Sequence, residues 1–320
     1  MILLVTPTAL NSDHGNGVSA RRWAAILREL GHEVYVTQEY RGGVYSALVA
    51  LHARKSADSV RAFNADHPRA PIVVALTGTD LYPDLDTTGV DPDVLALAER
   101  LIVLQPHGLR QLPPAIADRG RVIIQSMSAI QAQPPLADRF EVVFLAHLRP
   151  VKDPLLLAQA VRLLPANSKI FISHAGAPRD AGLAAEAATE TNRNPRYEWL
   201  GPIPRGGALA LLARSRLLAL TSLHEGGANV VSEALAAGVP VISSAIPGSF
   251  GLLGEDYPGY FPVGDAAALA EILDAVEENR GDYYTSLKEH CVRLGSLVDP
   301  AHEKRAFAVL LKELGLPVID

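Results

Sequence analysis

The sequence predicts an α/β protein built from two doubly wound, parallel-sheet domains that face each other across a cleft. Three observations predict it. Short apolar runs alternate with helical patterns along the whole chain, the grammar of βαβ units with helices on both faces of a parallel sheet. That grammar occurs twice, on either side of a Pro-rich break at Gln131–Pro135 (QAQPP). The chain also has 320 residues, a length that favours about two domains over one.

In the first half, Ile2–Thr6 reads as a buried strand. Val18–Leu30 (VSARRWAAILREL) follows as a helix, with Gly31 suited to end it. Glu33–Thr37 is the next strand, and Ile72–Leu76 (IVVAL), Leu101–Leu104 and Val122–Gln125 are three more of the same style. The second half opens with the strand Phe140–Leu145 (FEVVFL) and continues with Lys169–His174, Tyr197–Leu200, Leu217–Thr221 and Val239–Ser243. Helices Pro154–Leu164 and Val230–Ala237 lie between them, and Glu303–Leu314 is a final helix. The predicted domains are therefore 1–135 and 136–302, with the carboxyl ends of both sets of strands, where ligands bind in such sheets, pointing into the cleft.

Composition excludes several classes. The hydrophobic fraction of 48% and charged fraction of 20% suit a globular protein with two good cores. With a net charge of −6 and no dense Lys/Arg run, the chain lacks the basic face that nucleic-acid binding needs. No apolar run reaches the roughly eighteen residues of a membrane span, and the amino terminus carries no signal-peptide pattern. A cytoplasmic protein with neither nucleic-acid nor membrane partners is expected. Cys291 has no cysteine partner and reads as a packed small hydrophobe.

Gly15-Asn16-Gly17-Val18-Ser19-Ala20 matches the dinucleotide pattern G-x-G-x-x-A, with Glu39 further on. The context argues against NAD, because Pro7 to His14 intervene between strand and glycines, whereas the fingerprint places its first glycine at the strand's tight exit. A glycine loop that opens a helix still presents free backbone N–H groups and a positive dipole end. It suits an anion or an acceptor, with Arg21 and Arg22 in the following turn and His14 beside it; a plain turn followed by surface arginines is the alternative.

Three segments of the second half carry further chemistry. Arg149 and Lys152 lie in Leu148–Pro154, at a strand exit, where they could clamp a diphosphate. Glu198–Pro204 (EWLGPIP) ends a strand in Gly-Pro, so backbone beyond it could read a base edge or simply turn the chain. His224-Glu225-Gly226-Gly227-Ala228-Asn229-Val230-Val231-Ser232-Glu233 follows the strand LLALTSL. Its glycines let a helix N-terminus approach a ligand, with Glu225 in the loop and Glu233 on the helix. His147 and His174 also follow strands, and His107 reads as structural. No two histidines are spaced as metal ligands on one helix, and no Asp-x-Asp pattern ends a strand, so neither metal nor cofactor is expected.

On these segments the chain resembles the retaining glycosyltransferases of family 4, which have the GT-B fold. Arg149 and Lys152 match that family's Arg/Lys pair, and Glu225 and Glu233 its E-x7-E signature. The resemblance implies that Arg149 and Lys152 neutralise the leaving diphosphate, that Glu225 lies by the donor sugar and that Glu233 holds the ribose. Backbone at Gly227, Ala228, Asn229 and Val230 would contact sugar and phosphate, with His224 beside them and Ile203 where uracil is read. The final helix, within 303–320, would return to the first domain. Family members carry a His in an H-G-x-D stretch, where this chain has Thr77-Gly78-Thr79-Asp80. Thr77 cannot act as a base near neutral pH, and an acceptor that is already an anionic nucleophile needs none.

A narrower resemblance fits that departure. TPTALNSDHGNGVSARRW, LTGTDLY, LHEGGANVVSEALAAGVPVISS and GLLGEDYPGYFPVGD are similar to the selenosugar synthases of selenoneine biosynthesis. This implies UDP-N-acetylglucosamine as donor and selenophosphate as acceptor, joined through a selenium–carbon bond. The acceptor site would comprise Asn11, His14, Gly15, Asn16, Gly17, Arg21, Thr77 and Asp80. A UDP-sugar 2-epimerase of the same fold, a non-catalytic sugar-binding module and a dehydrogenase are the rival functions.

Overall fold

The structure, a computed structural model, describes residues 1–9 and 15–319. Their contacts divide the chain into two compact units, one comprising Met1–Ser126, Glu225–Gly227 and the segment from Pro300 onward, the other Met127–His224 and Ala228–Asp299.

The first unit holds a six-stranded sheet of β1 (Ile2–Val5), β2 (Val34–Thr37), β3 (Ala47–Leu51), β4 (Ile72–Leu76), β5 (Arg100–Val103) and β6 (Gly120–Val122). Every pairing is parallel, in the order β2-β1-β3-β4-β5-β6. Alternate residues of the strands feed two cores, one on each face. Leu3, Val5, Leu48, Ala50, Val74 and Val103 join one cluster, whereas Ile2, Leu4, Val49, Leu51, Val73 and Ile102 join the other. This two-sided burial is why the strands read as continuous apolar runs. Helices α1 (Gly15–Glu29), α2 (Ala57–Asp66), α3 (Gly78–Leu81) and α4 (Pro92–Leu97) connect them. The C-terminal helix Pro300–Glu313 lies on the face of α1, where Phe307 meets Trp23 edge-on at 5.2 Å and Leu310 and Leu311 enter the core.

The sequence reading missed β3, although it lies between β1 and β4. Its Ala/Leu-rich run, ALVAL, carries the apolar signal of a helix as much as of a strand, and periodicity cannot separate the two in so short a run. Two boundaries also move. The last strand of this sheet is Gly120–Val122 rather than Val122–Gln125, because the side chains of Gln125 and Ser126 turn to α1 and the C-terminal helix. Helix α1 starts at Gly15 rather than Val18.

The second unit holds β7 (Phe140–Leu145), β8 (Ile170–Ala175), β9 (Tyr197–Trp199), β10 (Leu217–Leu220), β11 (Val241–Ser244) and β12 (Tyr260–Phe261), again all parallel, in the order β12-β11-β10-β7-β8-β9. Taking β7 as first, this is the doubly wound dinucleotide-binding order, reversing between its first and fourth strands. Its helices are α5 (Leu156–Val161), α6 (Ala181–Arg193), α7 (Arg205–Arg214), α8 (Asn229–Ala237), α9 (Pro247–Leu253), α10 (Ala266–Glu277) and α11 (Tyr283–Leu294). Helix α5 is shorter than the Pro154–Leu164 expected, since Asp153 takes a left-handed conformation (φ 41°) and delays its start. Gly238, at φ 67°, ends α8 in the left-handed conformation that glycine adopts without strain.

Candidate functional site

In the second unit the strand order reverses between β7 and β10, and ligands of open α/β sheets bind beyond the carboxyl ends of strands at such a point. The loops leaving these two strands are joined. Thr221 Oγ1 donates to the carbonyls of Lys152 (2.8 Å) and Asp153 (3.0 Å), and the Leu223 N–H donates to the Val151 carbonyl at 2.9 Å. Arg149 is exposed and Lys152 half-buried in a short 3-10 turn, so both predicted cations stand at the switch point.

The β8 exit supports this loop from the other side. A Cβ on Gly176 would lie 1.8 Å from the Ala146 carbonyl oxygen, so only glycine allows the approach. His174, which follows a strand, is fully buried. Burial pulls its pKa down to about 4, which leaves the ring neutral near pH 7. Its Nε2–H then donates to the Ala146 carbonyl at 2.9 Å, and Nδ1 accepts from the Tyr197 hydroxyl at 2.7 Å. His174 is therefore a core strut beneath the Arg149 loop. His147 accepts the Ala177 N–H through Nδ1 at 3.1 Å, which fixes its ring to the same loop.

Helix α8 opens without a side-chain cap at Ala228. Its first-turn amides and dipole end are the elements that favour an anion. Glu233 sits one turn on, 7% exposed, with its carboxylate 2.8 Å from Arg205 at the start of α7. Ile203 is half-buried two residues before that arginine, and His224 is half-buried after β10. Glu225–Gly227 group with the first unit, where a Cβ on Gly227 would meet Leu104 Cβ at 2.6 Å.

In the first unit the order reverses between β1 and β3. Asn11 and His14 lie outside the described residues. Gly15, Asn16 and Gly17 form the first turn of α1 instead of a loop before it, with Gly17 buried and Ser19 Oγ donating to the Gly15 carbonyl at 2.9 Å. Arg22 is committed elsewhere. Its Nε donates to Glu303 at 2.8 Å, and the same buried carboxylate accepts from Trp23 Nε1 at 2.7 Å and the Ser126 N–H at 2.9 Å. Arg21 is exposed on the helix.

At the exits of β3 and β4, Asp80 is fully buried. Its carboxylate accepts from the N–H groups of Ala53 (3.2 Å), Arg54 (3.2 Å) and Thr77 (2.9 Å) and from the Thr77 hydroxyl (3.0 Å). Asp80 thus organises the loop and presents no carboxylate surface to an acceptor. His52, which sequence reasoning missed, lies beside it. Its Nδ1 is 2.7 Å from Asp80 Oδ1 without the alignment of a hydrogen bond. Its Nε2 is 3.2 Å from the hydroxyl of the exposed Thr79. The available signal was its place directly after ALVAL, useful only once that run is a strand. Arg205 and Gly176 were missed as well, because their partners are distant in sequence.

Among the described residues no three His, Cys, Asp or Glu side chains converge as a metal site, and no helix is long and apolar enough to cross a membrane.

A family model described as Glycosyl transferases group 1 matches residues 127–294. The chain is 32% identical over 190 residues to D-inositol 3-phosphate glycosyltransferase of Mycolicibacterium paratuberculosis, covering 53% of this chain and 42% of that protein. It is 26% identical over 218 residues to the enzyme of that name from Mycolicibacterium vanbaalenii, covering 58% and 48%. The chain thus spans less than half the length of these relatives. Among solved structures, Anabaena HepE in complex with UDP-glucose superposes with a TM-score of 0.80 at 16% identity, covering 98% of this chain and 99% of that one. The UDP-forming alpha,alpha-trehalose-phosphate synthase of Burkholderia xenovorans does so with a TM-score of 0.76 at 11% identity, covering 98% and 100%. At such identities the likeness is one of fold.

Proposed function

The chain belongs to the glycosyl transferases group 1 family, and from that premise we propose that it transfers a sugar from a UDP-sugar to a small anionic acceptor. One observation carries this: the β7 exit, joined to that of β10, carries both Arg149 and Lys152 at the switch point of the second unit's sheet. Two cations there suit a nucleoside diphosphate, and the UDP-glucose held by HepE, a protein of the same fold, agrees with a UDP-sugar donor.

In this reading the diphosphate lies between Arg149, Lys152 and the opening amides of α8, at Ala228, Asn229 and Val230. Charge grows on the leaving diphosphate as the anomeric bond breaks, and preorganised cations stabilise it most in the transition state. Glu233 holds the ribose, sharing its carboxylate with Arg205, while Ile203 borders the uracil. His224 faces the sugar. No metal or cofactor is required.

For the finer identity we propose UDP-N-acetylglucosamine as donor and selenophosphate as acceptor. The near end-to-end sequence resemblance supports it, and so does Thr77 where a histidine base is usual. Selenium attacks the anomeric carbon, the carbon–oxygen bond to UDP breaks, and UDP leaves with the electron pair. The selenium-bound phosphoryl group then departs as phosphate on hydrolysis. The acceptor is held at the start of α1, near Gly15, Asn16, Gly17 and Arg21.

Mass spectrometry of protein incubated with UDP-N-acetylglucosamine and fresh selenophosphate tests both levels, with thiophosphate and a sugar acceptor in parallel. A selenosugar with UDP is the expected result. UDP released only with the sugar acceptor removes selenophosphate and keeps transfer. UDP released, or the sugar epimerised, without any acceptor removes transfer.

A further inference from the structure

We propose that the Thr79 hydroxyl is an acceptor-side contact for a tetrahedral oxyanion, positioned by His52, whose ring stands against Asp80. The proposal rests on the reading of an anionic acceptor and adds two residues to its site.

Three observations lead to it. The first is position. In a sheet ordered 2-1-3-4-5 the ligand site lies at the reversal between the first and third strands. His52 is the residue directly after β3, and Thr79 follows β4. The second is backbone conformation. His52 is 2% exposed and takes φ 69°, a left-handed conformation uncommon outside glycine. Such strain persists where the surroundings impose it, and it clusters at functional sites.

The third is that Asp80 does not need the histidine. Its oxygens already accept from the N–H groups of Ala53, Arg54 and Thr77 and from the Thr77 hydroxyl. Loop organisation therefore explains the aspartate and leaves the imidazole unexplained. The imidazole's other side-chain neighbour is Thr79 Oγ1, at 3.2 Å, on a residue that reaches the surface. Nδ1 faces Asp80, and Nε2 holds the Thr79 hydroxyl. A threonine hydroxyl carries one O–H and two acceptor lone pairs, so with Oγ1 held at the ring it can still donate outward to a phosphoryl, thiophosphoryl or selenophosphoryl oxygen.

The contact can be separated from a structural role. Thr79→Val keeps the shape and removes the hydroxyl. Thr79→Ser returns it. His52→Asn suits the left-handed backbone, which asparagine tolerates, and its short amide reaches toward Asp80 while losing Thr79. Steady-state kinetics with UDP-N-acetylglucosamine and thiophosphate should show the acceptor KM raised about tenfold or more in Thr79→Val and His52→Asn. The donor KM and the Tm stay near wild type, and Thr79→Ser recovers most of the loss. An unchanged acceptor KM in a folded Thr79→Val overturns the proposal, as does a parallel rise in both KM values.

Isothermal titration with inorganic phosphate reads the contact without turnover. Binding by wild type that Thr79→Val weakens supports it, and equal affinity or no binding by wild type overturns it. If wild type transfers only to a sugar acceptor yet binds phosphate through Thr79, the selenophosphate reading fails and the contact stands.

Discussion

Acidification is expected to destabilise the second unit through His174. Burial depresses its folded-state pKa from 6.5 to about 4, while the unfolded chain keeps the ordinary value. Above about pH 6.5 both states are neutral at this residue, and stability is at its full value. Between about pH 6.5 and 4 the unfolded state binds a proton that the folded state refuses, so stability falls as pH falls. Below about pH 4 both states are protonated and the loss levels off. At about 1.4 kcal/mol per pKa unit the total is about 3.5 kcal/mol, a large share of the roughly 5–15 kcal/mol by which domains are stable. The assay is urea unfolding of wild type and His174→Gln from about pH 7.5 to 4. The glutamine can still donate to the Ala146 carbonyl but cannot titrate, so other titrating groups cancel in the comparison. The wild-type curve should fall more steeply by up to about one proton's worth, roughly 1.4 kcal/mol per pH unit. Parallel curves would refute the account of His174 as a neutral core strut.

Gly176→Ala is expected to displace the Arg149 loop, since the new Cβ meets the Ala146 carbonyl oxygen at 1.8 Å; unfolding should show a loss of about 1–3 kcal/mol or more, and UDP titration weaker binding. Arg149→Ala or Lys152→Ala should lower kcat about 10²-fold or more in a UDP-release assay, and Arg149→Lys should not restore it fully because lysine lacks the bidentate fork. Glu303→Gln leaves Arg22 beside a neutral group in a buried network; a loss of about 3–5 kcal/mol is expected by chemical denaturation. Transfer should proceed undiminished in EDTA, and restoration by added Mg²⁺ or Mn²⁺ after chelation would show a metal requirement.

The sequence by itself determined the α/β class with parallel sheets, because a strand covered on both faces must be apolar throughout and so marks itself locally. It also determined that Arg149, Lys152 and the Gly-rich start of α8 follow strands, since each lies a few residues past an apolar run. It left β3 hidden, because ALVAL satisfies a helix and a strand equally. What the candidate side chains touch depends on the folded chain. Glu233 meets Arg205, Asp80 meets His52, and Arg22 meets Glu303. These partners stand about thirty to nearly three hundred residues apart in the chain, whereas helical and strand periodicity reports only on neighbours within about four. The same limit separates His174 from a ligand site: its place at a strand end is legible in sequence, but its burial depends on Phe144, Ala146 and Tyr197 closing around it, and the desolvation that follows keeps it neutral.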